Sequence, residues 1–378
     1  MRQYNTSRAA LWALALAAAC ARAPEPPFVR ALTIDGSSYE YRSYRPSVPG
    51  RFLFTPRNKE TGVSAIAALD ADGEVLFDRP FPPDVITTDF KKVEPGRYGY
   101  FTTVMGELKE DARRGRVTYH FLDQAFRDID PRPLPNGDAE LDEHDVARLR
   151  NGNLIFIFYR ESPGDGLIDA ELQEWDPKDG KVRAWNSKGS LRPRRGSSRV
   201  TDYLHANSVE ADSDGGLILS CGAASEVVKI SWPEGKVLWR LSSRTWKFPD
   251  DPLHGFRFQH TAKRLSNGNI LMFDNGGGGR GDVSRAVEYR LDEKARTATM
   301  VWERRAPPET PFRPADGSVQ RLSNGNTLIG WGEMPSADRG GTRRIAMFTE
   351  VDRDGGVVRE LTSVGYRNSY RVAFEETP

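Results

Sequence analysis

Cysteine, histidine and net charge are scarce in this chain, and each scarcity narrows what the protein can be. Its 378 residues include two cysteines, Cys20 and Cys221. Cys20 ends a leader-like stretch, and if it is consumed there no disulfide can form within the chain. Cys221 follows the apolar run 217–219 and reads as a buried structural thiol rather than a nucleophile. Lys and Arg number 54 against 53 Asp and Glu, a net charge of +1. That balance gives no support to nucleic acid or another polyanion as a partner. The apolar run 9–19, with Leu11, Trp12, Leu14 and Leu16, is too short to cross a bilayer as a helix. Only five histidines are present, so any pattern among them carries information.

The apolar run has another reading. Arg2 and Arg8 precede it and small residues close it, the form of a secretory signal. Cys20 follows Ala17-Ala18-Ala19 directly, like the end of a bacterial lipobox with Leu16 one place early. Cleavage before Cys20 and its acylation would anchor the protein to a membrane, on the periplasmic side of the outer membrane. Cleavage at the Ala-x-Ala site would instead release a soluble periplasmic protein. The expected organisation is a signal peptide at 1–19, a lipidated tether at 20–27, a short strand segment at 28–51 and the main domain at 52–378.

Turns and repetition, by contrast, are abundant, with 35 glycines and 25 prolines. Residues 259–276 read as strand, turn, strand around Asn267-Gly268, the signature of a two-residue hairpin with φ > 0 at both central positions. The same pattern surrounds Asn151-Gly152 and Asn324-Gly325, at separations of 116 and 57 residues from Asn267. A copy is therefore expected midway, and His205 with Asp212 seven residues later fits it. Outer hairpins recur at 68–77, 175–185, 230–239, 289–302 and 351–358. Six units follow, near 52–80, 90–130, 144–186, 205–241, 260–304 and 318–361. Four short strands per unit predict an all-β fold, a six-bladed β-propeller with four-stranded antiparallel blades. The tail Ser369-Tyr-Arg-Val-Ala-Phe is placed to complete blade one. Trp175, Trp185, Trp232, Trp239 and Trp302 fall on outer hairpins and should pack between blades.

Propeller geometry converts sequence position into spatial position. Each innermost strand starts at the same mouth of the central channel, so His144, His205 and His260 should converge there. Loops carrying Arg160, Arg280, Arg339, His254 and Arg257 are predicted on that face. Imidazole suits nucleophilic or acid–base work near neutral pH, and guanidinium forks suit sulfate, phosphate or carboxylate. A three-histidine metal site is the other chemical option, disfavoured because a ring spreads its residues wider than one ion spans.

These residues resemble the arylsulfotransferase family of bacterial propellers. The resemblance rests on His-Asp-x-x-x-Leu-x-Asn-Gly-Asn at 144–153, His205-x-Asn207-Ser208 and Gln-His-x-x-x-x-Leu-x-Asn-Gly-Asn at 259–269. It rests also on Asp274-Asn-Gly with Ser284-Arg-Ala-Val-Glu-Tyr, on Gln320-Arg-Leu-x-Asn-Gly-Asn, and on the closing Ser-Tyr-Arg. It implies sulfuryl transfer from an aryl sulfate to a phenol, with no nucleotide donor and no cofactor. It implies also a histidine that carries the sulfuryl group while other histidines and an arginine bind the anion. On this basis His260 and His205 are the candidate catalytic residues, and His144, Arg280, His254, Asn207 and Arg160 the candidate substrate-binding ones. The expected partner is a small aromatic sulfate or phenol, no metal is expected, and the assembly is a monomer or homodimer. The family's transfer histidine is placed in a later blade, where this chain has Gly317-Ser318. Either His260, His205 or His254 takes over the nucleophile's part, or the chain is a non-catalytic ligand- or partner-binding propeller.

Overall fold

A computed structural model of the chain describes residues 26–106, 115–129, 134, 139–162, 164, 166–191, 201–277, 283–334 and 344–377. It shows six antiparallel blades around a central channel. Blade one joins both ends of the domain: its innermost strand is Arg367–Glu376, followed outward by Gly50–Asn58, Ser64–Asp70 and Val75–Phe81. Blade two starts with Val85–Glu94, blade three with Glu140–Arg148, blade four with Ala206–Ala211 and blade five with His260–Arg264. Blade six starts with Ser318–Arg321. On its outer edge it carries the hairpin Phe28–Ile34 and Ser37–Ser43, giving a six-stranded sheet.

The burial pattern explains why these segments are strands. Second strands such as Leu217–Cys221 and Ile270–Asp274 are buried at every position, because both faces lie against neighbouring blades. The outer strand Val237–Leu241 buries only alternate residues. The core is a ring of separate clusters, one at each blade–blade contact. The tryptophans occupy those seams as expected. Trp175 stacks on Phe121 of blade two, Trp185 Nε1 donates to Gly235 O of blade four at 2.8 Å, and Trp302 Nε1 donates to Arg353 O of blade six at 3.0 Å.

An innermost strand has one unpaired edge, a liability unless its polar groups find partners. Here side chains of the adjoining blade stitch it. Gln320 Nε2 donates to Phe374 O and Gln320 Oε1 accepts from Phe374 N, both at 2.8 Å. Ser208 Oγ accepts from Ala262 N at 3.2 Å, and Asp145 Oδ2 accepts from Val209 N at 3.0 Å.

Two details of the repeat differ from the sequence expectation. Asn267-Gly268 forms a three-residue loop, with Gly268 N donating to Leu265 O and Leu265 N to Asn269 O, and of this pair only Gly268 (φ 85°) is left-handed. The Asn267 side chain accepts from Asn269 N at 3.0 Å, which satisfies the turn without a left-handed asparagine. The same bonds recur around Asn151 and Asn324. In blade four they centre on Asp214-Gly215, not Asp212. The register therefore aligns Asn207, rather than His205, with His260. His205 precedes its strand and reaches the mouth from a left-handed backbone, φ 49°. Cys221 is fully buried as expected, and burial pushes its thiol well up.

Candidate active site

The innermost strands of blades three and five, and the residue just before that of blade four, bring their histidines to one recess. The His144 and His205 rings meet edge to face at 4.9 Å between centroids. Tyr370, from the innermost strand of blade one, lies between the others, 5.7 Å from His144 and 6.5 Å from His260. Each imidazole is oriented through Nδ1 by a side-chain oxygen. His144 Nδ1 is 2.7 Å from Asp142 Oδ1, His205 Nδ1 is 2.8 Å from Asp202 Oδ2, and His260 Nδ1 is 2.7 Å from Asn275 Oδ1. Carboxylate and amide oxygens only accept, so Nδ1 carries the proton and Nε2 is the working atom in each ring.

The anchors differ in charge. Asn275 is a neutral acceptor whose orientation is set, because its Nδ2 donates to Arg313 O and Asp316 O at 3.0 Å each. Burial pushes the His260 pKa down to about 3, with His144 and His205 adding to that fall against the pull of the Asn275 bond. His260 is therefore neutral across the physiological range, with a lone pair on Nε2. Behind His144 and His205 the anchors are carboxylates.

A second layer fixes His260. Asn207 Nδ2 donates to Gln259 O at 2.8 Å, immediately before the histidine. Ser284 Oγ donates to Asn275 O at 2.7 Å. Arg285 is fully buried and holds Asp274 (Nε to Oδ2, 3.0 Å) and Asp251 (Nη2 to Oδ2, 2.8 Å). Asp274 Oδ1 in turn accepts from Arg257 N at 2.9 Å, which ties down the loop entering His260.

The remaining expected residues fall as follows. Asn207 is fully buried and acts on Gln259. Arg160 spends its guanidinium on Glu171, Nε to Oε2 at 3.0 Å. His254 is an exposed loop residue, held by its backbone N–H to Asp251 O. Arg280 and Arg339 lie outside the described residues, as does Cys20. Gly317 takes the histidine position of blade six. Its φ is 104°, and a Cβ there would meet the Phe273 ring at 2.4 Å, so no side chain fits. Sequence reasoning missed Tyr370, Asn275, Asp142 and Asp202, and it missed Asp316 beside Gly317. Among the described residues no group of three or more His, Cys, Asp or Glu could hold a metal ion.

The family model described as Arylsulfotransferase (ASST) matches residues 40–371, which include all of this recess. The chain belongs to the arylsulfotransferase family. Arylsulfate sulfotransferase AssT of Escherichia coli is 26% identical over 186 residues, 40% of this chain and 31% of that enzyme, so the match spans about a third of the relative's length. Among solved structures, a protein of unknown function from Bacteroides caccae covers 85% of this chain and 98% of its own, with a TM-score of 0.54 at 16% identity. That likeness shows the fold alone.

Within this family member, Asp316 and His260 titrate abnormally in opposite senses. Burial, reinforced by the charge of Glu333, lifts Asp316 to about 6 from the ordinary 3.8. A group whose folded pKa is raised binds its proton more readily when folded, so the folded state gains stability from it as pH falls from 6 to 4. His260 behaves in the reverse way: unfolded chains take up its proton near 6.5, the folded state only near 3, so stability from it is lost as pH falls through that window. Asp316→Asn removes the first effect. It is expected to raise stability by about 2 kcal/mol at pH 7.5, shrinking towards zero near pH 4. Urea unfolding of variant and parent at both pH values checks this.

Proposed function

We propose that this propeller transfers a sulfuryl group from an aryl sulfate to a phenolic acceptor by way of a sulfo-histidine on His260. One observation carries the reading: three imidazoles share a recess, each pinned through Nδ1, and only His260 is pinned by a neutral group. Neutral His260 Nε2 attacks sulfur, the S–O bond to the aryl group breaks, and its electron pair leaves on the phenolate. The ring needs no base, because Nδ1–H stays on Asn275 and the product is a sulfo-imidazolium. In their imidazolium forms His144 and His205, oriented by Asp142 and Asp202, would donate from Nε2 to the sulfuryl oxygens. Tyr370 supplies an aromatic wall, and burial pushes its hydroxyl pKa well up, so it stays protonated.

Intact mass after brief exposure to 4-nitrophenyl sulfate, quenched at high pH, tests the reading. An adduct of about 80 Da, one SO₃, that a phenol acceptor discharges is expected. Folded protein with neither adduct nor nitrophenol release would instead be a binding propeller.

The reading includes an extracytoplasmic address, supported by the leader-like residues and Cys20. Expressed with its leader in a bacterial host, the protein should incorporate radiolabelled palmitate and fractionate with membranes. Cys20→Ser should abolish both; label retained in that variant overturns the anchor.

A further inference from the structure

The loop entering blade six keeps a carboxylate but has no imidazole for it to hold. In blade three Asp142, on the innermost strand, and in blade four Asp202, in the loop before it, orient His144 and His205. In blade six the histidine position is Gly317, which has no room for a side chain, and Asp316 stands beside it. Its backbone is left-handed, φ 62°, which turns the residue out of the ordinary strand entry. Asn368 Nδ2 donates to Asp316 Oδ2 at 2.9 Å, and Asn368 lies two residues before Tyr370 on the innermost strand of blade one. Asp316 O accepts from the same Asn275 amide that anchors His260, so one amide group separates this residue from the nucleophile. The carboxyl is therefore fixed at the rim of the three-histidine recess and committed to none of the rings.

We propose that Asp316 is the proton-transferring catalytic residue for the phenolic oxygens, a role that rests on the sulfuryl-transfer reading above. In the first half-reaction the aryl S–O bond breaks as His260 Nε2 bonds to sulfur, and the Asp316 carboxylic acid gives its proton to the departing oxygen. In the second, the Asp316 carboxylate takes the proton from the acceptor phenol, whose oxygen attacks sulfur, and the N–S bond breaks with its pair returning to Nε2. The proton and the sulfuryl group are both returned to account, with no further reactant. The groups facing Asp316 suit this cycle. Glu333, itself tied to Lys59 at 2.9 Å, opposes its charge, while Lys59, Asn368, His144 and the half-buried Arg57 favour it. The balance leaves the carboxyl with a pKa of about 6, close enough to neutrality to give and take a proton.

Leaving-group dependence tests the proposal. Phenyl sulfate needs its departing oxygen protonated, whereas 4-nitrophenolate leaves unaided. Asp316→Asn keeps an acceptor for Asn368, and its adduct with 4-nitrophenyl sulfate reports an intact site. The expected result is an adduct rate with 4-nitrophenyl sulfate within about threefold of the parent and a loss of about 100-fold with phenyl sulfate. The pH–rate limb near 6 should vanish in the variant, and Asp316→Glu should recover part of the phenyl sulfate rate. Equal losses with both donors, or an unchanged pH profile, overturn the proposal. If the parent forms no adduct even with 4-nitrophenyl sulfate, the sulfuryl-transfer reading itself has failed.

Discussion

His260→Ala is expected to yield no sulfo-protein and to lower turnover of 4-nitrophenyl sulfate by on the order of 10⁴-fold or more, since losing the nucleophile removes the whole covalent route. That is about 5.5 kcal/mol of barrier, beyond what any one anion contact contributes. His144→Gln and His205→Gln are the informative comparisons. Each keeps a polar group in the recess but removes an imidazole from beside the sulfuryl oxygens, so each should still form the adduct at a rate lowered by about 10²-fold. The distinction follows from the anchors. A nucleophile must carry a lone pair at working pH, and His260, buried against the neutral Asn275, has one. If His205→Ala rather than His260→Ala abolished the adduct, with both variants folded, the nucleophile would be the half-exposed ring backed by Asp202. The argument from anchor charge would then be wrong.

The repeat made the fold legible. Three Asn-Gly turns at matching separations and the recurring outer hairpins announced six units, and burial followed because a propeller's second strands are covered on both faces. The convergence of His144 and His260 was legible for the same reason, whereas His205 reaches the mouth from two residues before the repeat position, which Asn207 holds. The anchors were not legible. Asp142 and Asp202 sit two and three residues before their histidines, and neither offset distinguishes an orienting carboxylate from a turn residue. Asn275 bonds His260 across a hairpin, fifteen residues away in the chain. The gap at blade six was visible as a missing histidine, but its cause was not. The cause is the Phe273 ring of blade five against Gly317, a contact between neighbouring blades. The turn of blade four lies two residues beyond the place His205 implies, because that histidine precedes its strand and Asn207 holds the repeat position.

Arg371→Ala is expected to be the most damaging single change to stability. Arg371 is buried in the channel, with Nη1 2.7 Å from Asp89 Oδ1 and 2.8 Å from Asp145 Oδ1. Lys91 Nζ bonds the same two carboxylates. Burial acts against charge on Asp145, yet Arg371 and Lys91 overcome it and hold its pKa down to about 2. Removing Arg371 leaves two buried carboxylates to one ammonium, and breaking a buried pair in this way costs about 3–5 kcal/mol. A lowered urea midpoint reads that loss, and Asp89→Asn in the same chain should recover part of it, because the pair and not the bulk of the arginine sets the cost. Arg371 also touches the site: its Nη2 donates to Asn207 O at 3.2 Å, and the Asn207 amide holds Gln259 O just before His260. Arg371→Ala should therefore slow adduct formation as well as weaken the fold. Lys91→Ala disturbs the same carboxylates from blade two, and Lys91 bonds Asp89 and Asp145 but not Asn207, so the change should weaken the fold while leaving the adduct rate near that of the parent. Equal effects of the two variants on the adduct rate would mean that the channel charges support only the ring of blades, and that His260 is positioned without them.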